Sequence, residues 1–230
     1  MKYTNIYPAV FISRPNRFIA IVDIDGARCE CHVKNTGRCR ELLLPGTHIF
    51  VSKSSNPKRR TQYDLISVFK GERLINIDSQ APNKVVHEWL RTHTLLGETV
   101  KYIKPEYTFG KSRIDFYIET QSHKYLMEVK GVTLEKDNIA MFPDAPTERG
   151  VKHLQELIFA RECGLKSIAL FAIQLTGTKK FMPNWETHRE FAEKLIEASS
   201  KGVDLIAMEC EVQKNCLLLQ KEIPIDLTVC

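Results

Sequence analysis

The chain has 230 residues, 43% of them apolar and 27% charged, with a net charge of +5; this suits one large or two small domains with a buried core. No run approaches 18 apolar residues, and the N-terminal segment MKYTNIYPAVFISRPNR lacks an apolar core followed by a small-residue cleavage site. Neither a membrane span nor a secretory signal is therefore expected, and a cytoplasmic setting is. Charge is uneven: residues 1–80 hold 13 Lys and Arg against 7 Asp and Glu, while residues 81–230 hold 20 against 21. Such asymmetry points to an anionic partner held by the first third, the alternative being a merely soluble basic surface.

The first 80 residues read as short strands and turns. FIAIVDID (18–25) and ARCECHV (27–33) flank Asp25-Gly26, a hairpin signal. THIFVSK (47–53), TQYDLISVFK (61–70) and RLINID (73–78) follow, the last two joined across Gly71. Five strands and a short helical piece near Arg40–Leu44 predict a small OB-like barrel. Its loops RPNR (14–17), KNTGRCR (34–40) and SSNPKRR (54–60) are basic. Arg14, Arg17, Lys34, Asn35, Arg38, Lys58, Arg59 and Arg60 are accordingly candidate contacts for a nucleic acid. The cysteine count is seven, with no C-x-x-C pair. Cys29 and Cys31 share a strand face, but no second pair stands at a metal-ligand spacing, so these read as half-buried thiols in a reducing compartment.

The pattern changes at Ala81-Pro82. A helix is predicted over 83–96, then strands over 101–109, 112–119 and 124–131. A helix over 147–163 closed by Gly164, a strand over 166–174, a helix over 186–200 closed by Gly202 and a strand over 203–211 complete the chain. The order predicts an α/β sheet with helices packed on it, and two domains, 1–80 and 81–230.

One charged constellation stands out. Strands 112–119 and 124–131, paired antiparallel with Glu119 opposite Lys124, place Asp115 opposite Glu128 and Arg113 opposite Lys130. Ile114, Phe116 and Ile118 then share a core face with Tyr125, Met127 and Val129. Two opposed carboxylates repel unless a hard divalent cation sits between them, and Mg²⁺ prefers such oxygens. With Lys130 on the same face, the set suits metal-assisted phosphodiester hydrolysis; the alternative is a surface salt-bridge patch. Glu88, on the preceding helix, could add a third acid. Arg149 and His153, on one side of the helix over 147–163, are candidate contacts to substrate phosphates, or else solvated or capping residues.

The strings NTGRCRELLLPG (35–46), FGKSRIDF (109–116), EVKGVTL (128–134) and FPDAPTERGVKHLQEL (142–157) resemble those of the SfsA, or sugar fermentation stimulation protein A, family, and the likeness spans nearly the whole chain. The resemblance implies an α/β protein in which an N-terminal OB-like barrel joins a C-terminal PD-(D/E)xK nuclease-like domain with a mixed central sheet. It implies that Asp115, Glu128 and Lys130 occupy the nuclease positions, with Glu88 as the helix acid. It also implies DNA binding linked to sugar metabolism.

Together these readings lead to a DNA-binding protein, DNA being favoured over RNA, with a nuclease site using Mg²⁺ or Mn²⁺ held by Asp115 and Glu128. A non-catalytic DNA-binding regulator that keeps the nuclease fold is the alternative. A sugar-binding module ranks below both, since no phosphate-cradling glycine loop is present. The oligomeric state is left open.

Overall fold

The computed structural model describes residues 1–35, 37, 39–110 and 112–229. The barrel is built from β1 (Ile6–Ser13), β2 (Ile19–Ile24), β3 (Ala27–Val33), β4 (His48–Lys53), β5 (Tyr63–Lys70) and β6 (Arg73–Asn76). These run in the order β3-β2-β1-β4-β5-β6, and an added β3–β5 pairing closes β1–β5 into a five-stranded barrel. The β2–β3 hairpin turns at Asp25 and Gly26 as expected, both with positive φ (52° and 84°), the conformation a tight two-residue hairpin needs.

Strand β1 was not anticipated, because Pro8 interrupts its apolar signal. The structure places Pro8 where β1 is bonded only to β4, with pairing to β2 beginning at Val10. A missing N–H is tolerated on a side that has no partner. The short helix expected near Arg40–Leu44 is instead a turn, in which the Leu42 and Leu43 amides donate to the Cys39 carbonyl at 3.2 and 2.9 Å.

The second part comprises α1 (Ala81–Leu90), β7 (Thr94–Leu95), β8 (Glu98–Phe109), β9 (Ser112–Thr120), β10 (Lys124–Val132), β11 (Leu134–Lys136), β12 (Ile139–Phe142), α2 (Glu148–Glu162), β13 (Lys166–Ile173), β14 (Lys180–Pro183), α3 (Arg189–Ser200), β15 (Asp204–Gln213) and β16 (Cys216–Glu222). Its main sheet is mixed, in the order β16-β15-β13-β10-β9-β8-β7. The central strands β10, β13 and β15 run parallel and are covered on both faces, which is why they are apolar almost throughout. One face packs Met127, Leu170 and Ile118 on Val85, Val86 and Leu90 of α1. The other packs Leu126, Phe171 and Ile173 with Leu154 and Leu157 of α2 and with Phe191 and Leu195 of α3, in a cluster that continues into the barrel core.

Helix α2 starts where the sequence predicts. The Thr147 hydroxyl accepts from the Gly150 amide at 3.0 Å, and Gly164 (φ +84°) follows its end. Helix α1 is shorter than predicted. Pro82 sits in its first turn, and after Leu90 the Thr92 and His93 amides both return to the Trp89 carbonyl, leaving Thr94 and Leu95 to form β7. Helix α3 likewise begins later, at Arg189 rather than at 186. Among the described residues, no helix is long and apolar enough to cross a membrane.

Barrel and sheet are joined by buried polar groups. The Gln174 amide nitrogen donates to Asn76 Oδ1 at 2.8 Å and to the Asp78 carbonyl at 3.1 Å, and the Asn76 amide donates to the Gln174 carbonyl at 2.9 Å. Asp78, fully buried, is met by Lys34 Nζ at 3.3 Å and the Tyr3 hydroxyl at 3.3 Å.

Burial pushes the Cys39 and Cys210 thiols up to about 12, and it raises Cys31 further still. Only thiolates react readily. A thiol-directed alkylating reagent followed by peptide mass mapping should therefore modify exposed Cys163 in the native protein and reach Cys31, Cys39 and Cys210 only after unfolding. Equal labelling under native conditions would contradict this burial.

Candidate metal centre

The hairpin pairs β9 and β10 in the expected register, Lys124 with Glu119 through Met127 with Phe116. There the ladder stops. In place of another backbone bond, Asp115 Oδ2 accepts the Val129 amide at 2.8 Å, and Oδ1 accepts from Asn83 Nδ2 at 2.7 Å. Beyond this point the β8–β9 ribbon bends toward α2. Glu106 adopts φ +53°, Ser112 Oγ donates to Glu156 Oε1 at 3.1 Å, and the Phe109 and Phe159 rings lie 5.9 Å apart.

The bend corrects two expectations. Ile114 leaves the α1 face and joins the cluster under α2. Arg113 is exposed and pairs with Glu106 at 3.7 Å, away from Lys130. The expected placement holds for a straight hairpin, and the left-handed Glu106 (φ +53°) stands where the ribbon departs from one.

Glu128 is 3% exposed. Its Oε1 accepts from Lys130 Nζ at 2.7 Å and also bonds His153 Nδ1. Its Oε2, buried as well, has no hydrogen-bond partner among the described residues. Burial pushes the Glu128 carboxyl up, but the His153 bond and the Lys130 charge outweigh it and hold the group below its ordinary value. Asp115 is shifted the other way: burial, then the Glu128 charge, raise it despite the Val129 and Asn83 bonds. A buried carboxylate oxygen left bare beside a second carboxylate is a position a hard divalent cation would satisfy, and the donor set, two carboxylates with no sulfur, fits Mg²⁺ or Mn²⁺.

Glu88 is not brought to this cluster. Its carboxylate lies 2.6 Å from the Met1 ammonium and is 60% exposed, and the residue of α1 that reaches Asp115 is Asn83. The spacing of Glu88 suited a helix acid, but it is the start of α1 that abuts the site. His153 does not face solvent phosphates either: it is 5% exposed and turned onto Glu128. Arg149 is exposed and donates from Nε to His153 Nε2 at 3.3 Å.

Gly131, directly after Lys130, marks a close approach. A Cβ there would lie 2.5 Å from Gln174 Oε1 and 2.7 Å from Pro82 Cγ. Gln174 is held by Asn76 and Asp78 and cannot swing aside. Gly131→Ala should therefore destabilise the protein by about 1–3 kcal/mol, read by urea unfolding, and an unchanged midpoint would contradict the packing described.

The basic loops divide into two groups. Lys34 is turned inward onto Asp78 and onto Asp64 at 3.5 Å, and Arg59 makes two bonds to Asp64, at 3.0 and 2.6 Å. These charges are occupied within the fold, because buried acids need partners. Arg14 ties loops together through the Gly37, Arg17 and Asn35 carbonyls at 2.7–2.9 Å, and the Asn35 side chain accepts the Gly37 amide at 2.8 Å. Arg17, Lys58 and Arg60 are exposed. Arg38 lies outside the described residues. Arg14, Asn16, Arg17 and Arg40 line a cavity of about 660 Å³ closed on its far side by Ala145 and Pro146, just before α2. Arg40 and Asn83 went unnoticed in the sequence. Arg40 had a signal in its basic loop; Asn83 had none beyond its place at a helix start.

A second cluster, Glu148, His188 and Glu190, is not arranged as a metal site. His188 Nδ1 accepts the Thr147 amide at 3.3 Å, so in the neutral ring Nε2 carries the hydrogen toward the carboxylates.

Comparison with known proteins agrees with this architecture. The sugar fermentation stimulation protein RE domain matches residues 80–216, and the SfsA N-terminal OB domain matches residues 12–77. A sugar fermentation stimulation protein homolog from Ruminiclostridium cellulolyticum is 52% identical over 99% of this chain and 100% of its own length. One from Clostridium beijerinckii is 51% identical over the same shares. The solved structure of Pyrococcus furiosus SfsA in complex with Ca²⁺ superposes with a TM-score of 0.90 at 28% identity, covering 98% of each chain. With an OB barrel, a mixed α/β sheet and relatives matched end to end, this chain belongs to the SfsA family.

Proposed function

We propose that this protein binds DNA and hydrolyses its phosphodiester bonds with a divalent cation held by Asp115 and Glu128. The observation that carries the reading is the bare, buried Oε2 of Glu128 beside a second carboxylate. The Ca²⁺ recorded with the Pyrococcus furiosus relative, another hard, oxygen-seeking cation, supports it. Mg²⁺ or Mn²⁺, when bound, would supply Lewis-acid stabilisation of charge on the phosphodiester.

The chain's own groups do the rest. Asn83 and the Val129 amide fix the Asp115 carboxylate. Lys130, only partly buried, can exchange its Glu128 contact for a phosphate oxygen and balance charge developing there. Arg17 and Arg40 in the loop cavity, with Lys58 and Arg60, offer exposed positive charge to the DNA backbone. The relatives carry the name sugar fermentation stimulation protein homolog, which supports a link between this activity and sugar fermentation.

The test is a cleavage assay on labelled single- and double-stranded DNA and RNA with Mg²⁺ or Mn²⁺. Cleavage that stops with EDTA and with Asp115→Ala is expected. Binding without cleavage of any substrate would sink the nuclease reading and favour a non-catalytic regulator; cleavage that survives Asp115→Ala would sink the assignment of the reaction to this site.

A further inference from the structure

We infer that His153 is a positioning residue for Glu128, held in one tautomer between Arg149 and Glu128 itself, so that the bare oxygen of Glu128 is presented to the cation. The role rests on the metal-centre reading; the tautomer does not. An arginine Nε always carries hydrogen and never accepts. Arg149 Nε lies 3.3 Å from His153 Nε2, so Nε2 must offer its lone pair, and in the neutral ring the hydrogen sits on Nδ1. That hydrogen is aimed at Glu128 Oε1. Lys130 Nζ, 3.4 Å from Nδ1, donates to the same oxygen at 2.7 Å.

Glu128 is thus asymmetric. Oε1 takes two donors, while Oε2 takes none among the described residues. The carboxylate cannot turn about its last bond without giving up both bonds inside a buried site, so Oε2 stays clear of these donors and open to the cation. The two donors also have different freedom. His153 is 5% exposed and sits on the buried side of α2, whereas the Lys130 side chain is 16% exposed. When Lys130 leaves for a phosphate, His153 alone holds Glu128 in place. Outer groups that orient ligating side chains act on metal affinity in just this way.

Nitrogen-15 NMR of the histidine rings in the metal-free protein tests the lock directly: His153 should show protonated Nδ1 and unprotonated Nε2. Calorimetric titration with Mn²⁺ tests the consequence. His153→Phe, which keeps a ring but no donor, should weaken Mn²⁺ binding about 10–100-fold, whereas His153→Asn, whose Nδ2–H replaces the Nδ1–H, should recover most of that loss. In cleavage at saturating Mn²⁺ the Phe variant should lose kcat more than KM. An Nε2–H or doubly protonated ring overturns the lock whatever the metal does. Equal affinity loss in the Phe and Asn variants, or none in either, overturns the positioning role. A parent protein with the Nδ1–H ring that takes up no Mn²⁺ overturns the metal reading and leaves the tautomer standing.

Discussion

In metal-free buffer at pH 7, Asp115→Asn should melt above the parent protein and Glu128→Gln below it, although both should lose metal-dependent cleavage by about 10²–10³-fold or more. The opposite signs follow from the two carboxyls. Asp115 is raised by burial and by the Glu128 charge, so ionising it costs more in the folded than in the unfolded chain. Its contribution is unfavourable above the ordinary carboxylate range and vanishes as pH falls. Asparagine removes that penalty, and the Asn83 amide can flip to match it, giving a gain of about 0.5–2 kcal/mol.

Glu128 is lowered by His153 and Lys130 against the cost of burial. Its contribution is favourable above the ordinary range and is lost as pH falls through its lowered folded value. Glutamine forfeits the charged bonds and buries an unpaired amide, a loss of about 1.5–3 kcal/mol. The gap between the two variants should therefore narrow on acidification, which melting curves from pH 7 down to pH 4 would record. Parallel shifts of both variants would contradict the assignment of strain to Asp115 and support to Glu128.

Lys34→Met should destabilise the protein by about 3 kcal/mol, a fall of about 6–12 °C in Tm for a chain of this size. Lys34 lies between Asp64 and fully buried Asp78. Removing it leaves Asp78 with the Tyr3 hydroxyl and the Gln80 amide but no cation. Asp64 fares better, since Arg59 and His32 still bond it. Urea unfolding measures the loss, and DNA affinity of the still-folded fraction should change little. A parent-like midpoint with lost DNA affinity would return Lys34 to the role its basic loop suggested.

Much of the site was legible without coordinates because strand alternation is strict. Once Glu119 faces Lys124, Asp115 and Glu128 must approach, and the observed register agrees as far as Met127 and Phe116. The barrel was legible for a related reason: Asp25-Gly26 and Gly71 set hairpins whose turn chemistry is local. What alternation cannot report is where a ladder ends. The bend at Glu106 and Asp115, which moves Ile114 across the sheet and sends Arg113 to Glu106, depends on α2 pulling the ribbon tip through Ser112 and Phe109. Strand β1 escaped notice because the permissiveness of its Pro8 position depends on which neighbours it lacks.

The sequence by itself determined the barrel-then-α/β order, the carboxylate pair and its neighbouring lysine, since periodicity, turn residues and local spacing are properties of the chain alone. Tertiary structure decided which charges are free to act. From the sequence, Lys34, Arg59 and His153 read as contacts for a nucleic acid and Glu88 as a third acid of the site. Three were claimed by partners distant in sequence, Lys34 by Asp78, Glu88 by the chain start and His153 by Glu128, and Arg59 by the nearby Asp64. A buried charge must be paired, and its partner is chosen by the packing of elements far apart in the chain. The same packing left one carboxylate oxygen of Glu128 without a hydrogen-bond partner among the described residues, and that oxygen marks the candidate metal position.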